Sequence, residues 1–128
     1  MGKTLSRMMG QNLYNFAREL LEEIQTETVG EAIERPVAVF EGMCVWPRRR
    51  DLSFFSALLI DGLRTVNHPN ALDRLGRALL RMHSHYGIDP DPVVLAITRR
   101  LETEKDDEVR ASLARTMFRL NELRDEAE

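Results

Sequence analysis

The sequence predicts an all-α protein, a single domain of five to six antiparallel helices. Apolar residues recur three and four positions apart along most of the chain, which is the spacing of amphipathic helices. One segment has the composition of a strand, but no second strand pattern exists to pair with it. The 128 residues, of which 43% are hydrophobic and 30% charged, suffice for one buried core without a disulfide or a bound metal.

The first element, within residues 1–35, is expected to be a long helix followed by a turn. Five apolar residues form its stripe at spacings of four, three, four and four: Met9, Leu13, Phe16, Leu20 and Ile24. Thr4 or Ser6 offers the hydroxyl of an N-cap. Gly30 and Pro36 bracket the end of this element, because glycine and proline commonly interrupt helices.

Residues 36–50 form an ambiguous connector. The apolar run between Pro36 and Trp46 has the composition of a strand. Three of its apolar residues also fit one helix face: Val37, Phe40 and Cys44. Because a lone strand would have no partner, we expect a short helix or a buried irregular segment, with Pro36 acceptable at the first helical position. The arginine triplet at residues 48–50 then forms an exposed break.

Residues 51–124 are expected to form helical hairpins. Asp51 or Ser53 caps the first helix of this region. The apolar face of that helix consists of Phe54 or Phe55, Leu58, Leu59, Gly62, Leu63 and Val66. Asn70 is the expected N-cap of the second helix, and Gly87 is its expected C′ residue. The apolar stripe of the second helix consists of Leu72, Leu75, Leu79, Met82 and Tyr86.

Two further helices complete the chain. Asp91 followed by Pro92 begins a short helix, and Asp106 or Asp107 caps the last one. Their apolar stripes consist of Val94, Ile97 and Leu101, and of Val109, Leu113, Met117 or Thr116, Leu120 and Leu123. The predicted core packs Leu75, Leu79 and Met82 against Leu58, Leu63, Val109, Leu113 and Leu120.

The passage Asp107–Arg115 combines an acidic cap, a Val-Arg pair and small residues that alternate with leucines. It resembles the inner helix of HEAT-like repeats. The resemblance implies a short stack of helical hairpins in which Arg110 reaches back to an acid or a carbonyl of the adjoining helix. The caps Asp91 and Asp107 lie 16 residues apart, which is half of a typical repeat period, so they begin two sequential helices. Because of this spacing, a closed irregular bundle is the favoured arrangement, and a short HEAT-like stack is the alternative.

Positive charge is concentrated in the middle of the chain, although the formal net charge is −3. Residues 47–88 carry +4, whereas residues 1–46 carry −3 and residues 89–128 carry −4. Arginine outnumbers lysine by 16 to 2, and the guanidinium group suits bidentate recognition of carboxylates or phosphates. A GC-rich genome, which favours arginine codons, would explain the same ratio.

A basic stripe beside the apolar one is the candidate surface for a partner or a phosphate. It consists of Arg74, Arg77, Arg81 and His85, with Arg48, Arg49 and Arg50 expected near its C-terminal end. Such a surface suits an acidic protein partner or a nucleic-acid backbone. The alternative is a solvated face whose charges are paired with the acids of residues 89–128.

No catalytic, cofactor-binding or metal-ligating residue is predicted. Cys44 lies in an apolar run, where cysteine behaves as a small buried hydrophobe, and no catalytic signature surrounds it or the histidines. His83 and His85 are two positions apart, so on a helix they point in different directions and cannot chelate one ion. No glycine-rich phosphate loop occurs.

The leading hypothesis is a non-enzymatic protein–protein interaction or adaptor subunit within a larger assembly. The alternative is a small α-helical subunit that contacts an RNA or DNA backbone through the basic middle segment. Trp46 is the one aromatic residue that the apolar pattern does not bury, so few rings are expected for stacking on bases. We expect no membrane span and no secretory signal, and therefore a cytoplasmic location.

Overall fold

The computed structural model describes the backbone of residues 2–26, 30–45 and 47–127, and the side chains of residues 13–26, 33–44 and 47–123. The described backbone is 88% helical and contains no strand, which confirms the all-α prediction. The six helices are α1 (Gly2–Thr26), α2 (Gly30–Val45), α3 (Leu52–Thr65), α4 (Pro69–Tyr86), α5 (Asp91–Thr103) and α6 (Asp107–Ala127). A single 3-10 turn, Arg49–Asp51, precedes α3.

The helices contact one another in a regular order. Each odd-numbered helix packs against the even-numbered helix that follows it, so α1 contacts α2, α3 contacts α4 and α5 contacts α6. The odd-numbered helices also contact one another in sequence, as do the even-numbered ones, and the interface between α4 and α6 is the most extensive. The predicted core is buried along these interfaces, with Leu58 half-buried and the other seven residues buried.

Helices two apart in the chain run in the same direction. Tyr14 of α1 contacts Asp51 at the start of α3, whereas Gln25 contacts Asp61 and Thr65 near its end. In the same way, the first turns of α4 contact the first turns of α6, since the Ser112 hydroxyl lies 3.2 Å from the Pro69 carbonyl oxygen. The sequence prediction of antiparallel neighbours did not include these parallel pairs.

The prediction for residues 36–50 is wrong in its boundaries, because α2 runs from Gly30 to Val45 and contains the whole apolar run that the structure describes. Pro36 therefore lies inside the helix and not at its first position. A proline inside a helix lowers its stability by about 3 kcal/mol, because the ring clashes with the carbonyl of the preceding turn and the N–H that would bond to it is missing. Burial of each large apolar side chain stabilises the folded protein by about 1.5–3 kcal/mol. The buried face that outweighs the proline consists of Ile33, Pro36, Val37, Phe40 and Cys44.

The start of α4 differs from the prediction. The helix begins at Pro69, so Asn70 lies inside it and is not its N-cap. The N-cap is His68, whose Nδ1 accepts a long hydrogen bond of 3.4 Å from the Ala71 N–H. Proline at the first helical position has the required φ and lacks only an N–H that would be unpaired there. Gly87 ends α4 as predicted, with a φ of 71° that only glycine adopts without strain.

The remaining predicted caps have mixed outcomes. The Asp106 carboxylate caps α6 by accepting hydrogen bonds from the N–H groups of Glu108 and Val109. Helix α5 begins at Asp91 itself, whose N–H donates to the Asp89 carboxylate. Asp51 occupies the N-cap position of α3, but its side chain does not cap that helix. The predicted caps Thr4 and Ser6 are wrong, because α1 begins at Gly2 and both residues lie inside it. The side chain of Met9 lies outside the described side chains.

Two buried charged residues join the odd-numbered helices. Asp51 is 1% exposed and accepts hydrogen bonds from the Tyr14 hydroxyl and from Arg48 Nε, the latter at 3.2 Å. The hydrogen bond to the Asp51 carboxylate raises the pKa of Tyr14, with burial and the negative charge of Asp51 acting in the same direction. Arg100 of α5 donates to the Leu63 carbonyl at 2.8 Å and to Asn67 Oδ1 at 2.9 Å, at the end of α3. Both residues therefore hold neighbouring hairpins together.

Gly76 allows α4 and α6 to approach closely. A Cβ atom built on Gly76 would clash with the Thr116 hydroxyl and would lie 3.0 Å from Thr116 Cγ2. Both residues are buried where the two helices meet. The absence of a side chain at this position therefore permits the close approach of α4 and α6. Within the described residues, none of the helices combines the length and the apolar character needed to cross a membrane.

Candidate functional site

Four of the arginines whose side chains are described line a groove between α4 and α6. Two adjoining depressions, of about 260 and 320 Å³, share Arg77, Leu80 and Arg119. Together they define the α4–α6 groove, which is lined by Asp73, Arg77, Leu80, Arg81, Ser84, His85, Arg115, Thr116, Arg119, Glu122 and Leu123. Its floor is partly apolar, because Leu80 and Leu123 are half-buried between the two helices.

The basic side chains of the groove follow from helical spacing. Arg77 and Arg81 lie one turn apart on α4, and Arg115 and Arg119 lie one turn apart on α6. Residues four positions apart share one face of a helix. Because α4 and α6 are parallel and in contact, the two arginine pairs face the same groove and place four guanidinium groups on its two sides.

Salt bridges neutralise some of these arginines but not all of them. Arg115 Nη2 lies 2.9 Å from Asp73 Oδ2, and Asp73 also accepts a hydrogen bond of 2.7 Å from the buried Ser112 hydroxyl. Among the residues whose side chains are described, Arg77, Arg81 and Arg119 form no salt bridge. The groove therefore contains three exposed arginines that are available to an anionic partner.

The structure separates the residues of the predicted basic surface into three groups. Arg77, Arg81 and His85 line the α4–α6 groove. Arg74 lines a neighbouring depression between α2 and α4, where its guanidinium lies 3.6 Å from the Glu41 carboxylate. Of the triplet, Arg48 forms a salt bridge of 3.2 Å with Asp51, while Arg49 and Arg50 are exposed in the 3-10 turn. The triplet lines none of these depressions, so its position beside His85 stays a prediction.

Arg115 and Arg119 were missed by the sequence prediction. Their spacing of four on a predicted helix is the available signal, but it is masked in the sequence by the net charge of −4 over residues 89–128. Of the described acids in that range, Glu122 is the one that lines the groove. The suggested pairing of the stripe with the acids of residues 89–128 is therefore wrong for Arg77 and Arg81 within the described residues.

Aromatic residues are more exposed than the sequence indicated. Phe16 and Tyr86 were assigned to apolar stripes, but they are 46% and 37% exposed. Phe16 lies at the edge of the α1 stripe, and Tyr86 is the last residue of α4, beyond the buried part of that helix. Phe118 of α6 is 64% exposed, one residue from Arg119 on the same helix. Trp46, the predicted exposed aromatic, lies outside the described residues.

The buried position of Cys44 disfavours thiol chemistry. Its side chain is 2% exposed, and burial, together with the nearby charge of Glu41, raises its pKa to about 12. The reactive thiolate is therefore scarce at neutral pH. His68 caps α4, and His83 Nδ1 lies 2.9 Å from the Ile88 carbonyl oxygen. Within the described residues, no three or more of the histidine, cysteine, aspartate and glutamate side chains are grouped as metal ligands.

Searches of protein-family models, curated proteins and solved structures found no match to this chain. Its function is therefore inferred from the geometry alone.

Proposed function

We propose that the protein is a non-enzymatic interaction module, a short HEAT-like stack of helical hairpins that binds an acidic segment of a protein partner in the α4–α6 groove. The observation that carries this proposal is the set of exposed arginines without salt bridges, Arg77, Arg81 and Arg119, above an apolar floor. Guanidinium groups bind carboxylates through paired hydrogen bonds. The leucines of the floor can accommodate apolar residues that lie between the acids of the partner.

The spacing of the helices supports the stack. Helices α2, α4 and α6 begin at residues 30, 69 and 107, and helices α3 and α5 begin at residues 52 and 91. The intervals of 39, 38 and 39 residues are close to the period of roughly 40–47 residues in HEAT-like repeats. The interval of 16 residues between α5 and α6 is then the distance between two helices of one hairpin.

The contacts between helices also favour the stack over a closed irregular bundle. In a stack, each hairpin contacts only the adjacent hairpins, through parallel helices that occupy equivalent positions. The main contacts among α1 to α6 follow this order. Arg110 contributes a detail that the HEAT-like resemblance implies, because its guanidinium donates to the carbonyls of Leu101 and Glu104 at the end of α5.

In the proposed stack, the candidate site would lie on one face of the protein. Helices α2, α4 and α6 form its even-numbered layer, and the α4–α6 groove lies within that layer. Stacked repeats commonly use such an extended face for binding proteins. An extended acidic segment along the groove would contact Arg77 and Arg119 in its middle and Arg81 towards the end of α4.

The proposal is tested by fluorescence anisotropy with a fluorescein-labelled peptide of alternating glutamate and leucine residues. Changing Arg77, Arg81 and Arg119 together to glutamine should weaken binding by about ten-fold, since each exposed charge pair contributes about 0.2–1 kcal/mol. The matched control changes three exposed arginines outside the groove, Arg35, Arg64 and Arg99, and should leave the affinity within about two-fold. Equal losses in the two triple variants would contradict the proposed site.

A second candidate, binding of a nucleic-acid backbone, is favoured by the exposure of Phe118, which lies three residues after Arg115 and so on the same side of α6. Aromatic rings next to basic residues are typical of single-strand binding surfaces. Binding of a single-stranded oligonucleotide would weaken steeply with salt, by about 0.7 log–log units for each neutralised phosphate. The arginine-to-glutamine triple variant would flatten that slope by about two units. The protein-partner proposal predicts no oligonucleotide binding even at about 50 mM salt, where the acids of the chain still repel phosphates.

A further inference from the structure

We propose that the Asp73 end of the α4–α6 groove binds a phosphoryl dianion, carried by a phosphorylated serine or threonine in the acidic segment of the partner. This inference rests on the proposed function and specifies its ligand. The site is the depression of about 260 Å³ between the two helices, with Arg77 on one side and Arg115 and Arg119 on the other. The adjoining second depression shares Arg77 and Arg119, but it lacks Asp73 and Arg115 and is lined by Arg81 and His85 nearer the ends of the helices.

The charge of this depression fits a dianion better than a carboxylate. Its charged lining residues are Arg77, Arg115, Arg119 and Asp73, which give a formal charge of +2. A phosphorylated side chain carries about −1.5 to −2 at neutral pH and offers three acceptor oxygens. A glutamate side chain carries a charge of only −1 and has two oxygens, so it would leave part of the positive charge uncompensated.

Asp73 holds one of the three arginines in place. Both of its carboxylate oxygens accept hydrogen bonds from Arg115 Nη2, at 3.2 and 2.9 Å, and the Ser112 hydroxyl fixes Oδ1 from below. The Nε and Nη1 donors of Arg115 have no partner among the described side chains. Asp73 is therefore a positioning residue that restricts the Arg115 side chain while leaving donors for a ligand.

The distribution of charge favours a phosphorylated protein over a nucleic acid. Arg74, one turn before Arg77, is already paired with Glu41, and Glu122 lines the far end of the groove. The unpaired basic residues of α4 extend from Arg77 to His85, which is about 12 Å along the helix. A strand with regularly spaced phosphates would need cations beyond both ends, where these acids lie. One phosphate followed by carboxylates matches the observed arrangement.

The test compares two fluorescein-labelled peptides of glutamate and leucine that differ only at their central residue, phosphoserine in one and glutamate in the other. The phosphoserine peptide should bind the full chain about ten-fold more tightly, since charge-assisted hydrogen bonds to phosphate are among the stronger ones. Arg77→Gln and Arg115→Gln should each remove most of this preference. Arg81→Gln is the matched control, because Arg81 lines the second depression. This variant should lower the affinity for both peptides equally and keep the ten-fold preference for the phosphoserine peptide.

The signals of the arginine Nε–H groups in ¹H–¹⁵N spectra provide an independent readout of the location. Addition of the phosphoserine peptide should shift the signals of Arg77, Arg115 and Arg119 more than those of Arg64 and Arg99. Equal affinity for the two peptides would contradict the phosphate site and leave the acidic-segment proposal intact. Binding of a single-stranded oligonucleotide through the same three arginines, without binding of either peptide, would overturn both proposals.

Discussion

Replacing Gly76 by alanine should destabilise the protein, although alanine favours helices more than glycine does. The added Cβ would clash with the Thr116 hydroxyl and would lie 3.0 and 3.2 Å from Thr116 Cγ2 and Cβ. Such overpacking costs about 1–3 kcal/mol in a well-packed core. The gain from helix propensity is about 1 kcal/mol, so the expected net loss is about 0–2 kcal/mol.

The decisive comparison uses a second glycine and a compensating change. Gly42 of α2 is exposed, and a Cβ there would meet no atom within 4 Å, so Gly42→Ala should stabilise the protein by about 0.5–1 kcal/mol. Changing Thr116 to alanine in the Gly76→Ala background should recover stability, because the clashing atoms are removed. The free energy of unfolding is measured for all variants by chemical denaturation.

The reasoning would be refuted if Gly76→Ala and Gly42→Ala stabilised the protein equally, or if Thr116→Ala lowered the stability of the Gly76→Ala variant as much as that of the wild type. Additivity of the two changes would mean that the side chains do not meet. The same clash should push α6 away from α4 and widen the α4–α6 groove. Gly76→Ala should therefore also weaken binding of the glutamate–leucine peptide.

Two substitutions and one reactivity measurement test the core and the contacts between hairpins. Leu79→Ala should cost about 2–5 kcal/mol because Leu79 is buried between α4 and its neighbours, and a loss below about 1 kcal/mol would place this stripe outside the core. Arg100→Met should cost about 2–4 kcal/mol, since it leaves the buried Leu63 carbonyl without its donor; a loss below about 0.5 kcal/mol in urea would contradict this role. Cys44 should not react with a thiol reagent at pH 8 until the protein unfolds, and rapid reaction of the native protein would contradict its burial. Folding raises the pKa of Cys44 from 9.0 to about 12, because the buried thiol is favoured over the thiolate. The stabilisation by the buried thiol is therefore fully present below pH 9 and is lost as the pH rises towards 12.

The helices could be predicted well from sequence where apolar spacing and a C-terminal glycine agree. Helix α4 has both signals, and its predicted end at Gly87 is confirmed. Helix α2 was misjudged because local rules treat Pro36 as a boundary. Its burial against other helices is a tertiary effect that outweighs the proline, and such an effect is invisible in a single segment. The prediction of the Asn70 cap failed for a similar reason, since Pro69 can itself begin the helix.

The candidate site could be predicted only in part, because it is formed by two helices that are distant in sequence. The arginines of α4 were identified from their spacing, and Arg77 and Arg81 do lie in the groove. Arg115 and Arg119 join them only because α4 and α6 are in contact, which net charge over a segment cannot reveal. Salt bridges such as that of Arg74 with Glu41 likewise depend on the tertiary arrangement, so the sequence could not show which arginines remain unpaired.

The interaction proposal is tested most directly by reversing the charge of the groove and measuring the affinity for two peptides of opposite charge. The variant changes Arg77 and Arg119 to glutamate, and the peptides alternate leucine with either glutamate or lysine. We predict that the wild-type chain binds the glutamate peptide, that the reversed variant loses this binding, and that it gains binding of the lysine peptide. Binding of the glutamate peptide with unchanged affinity by the reversed variant would contradict the central claim that this groove recognises an acidic partner.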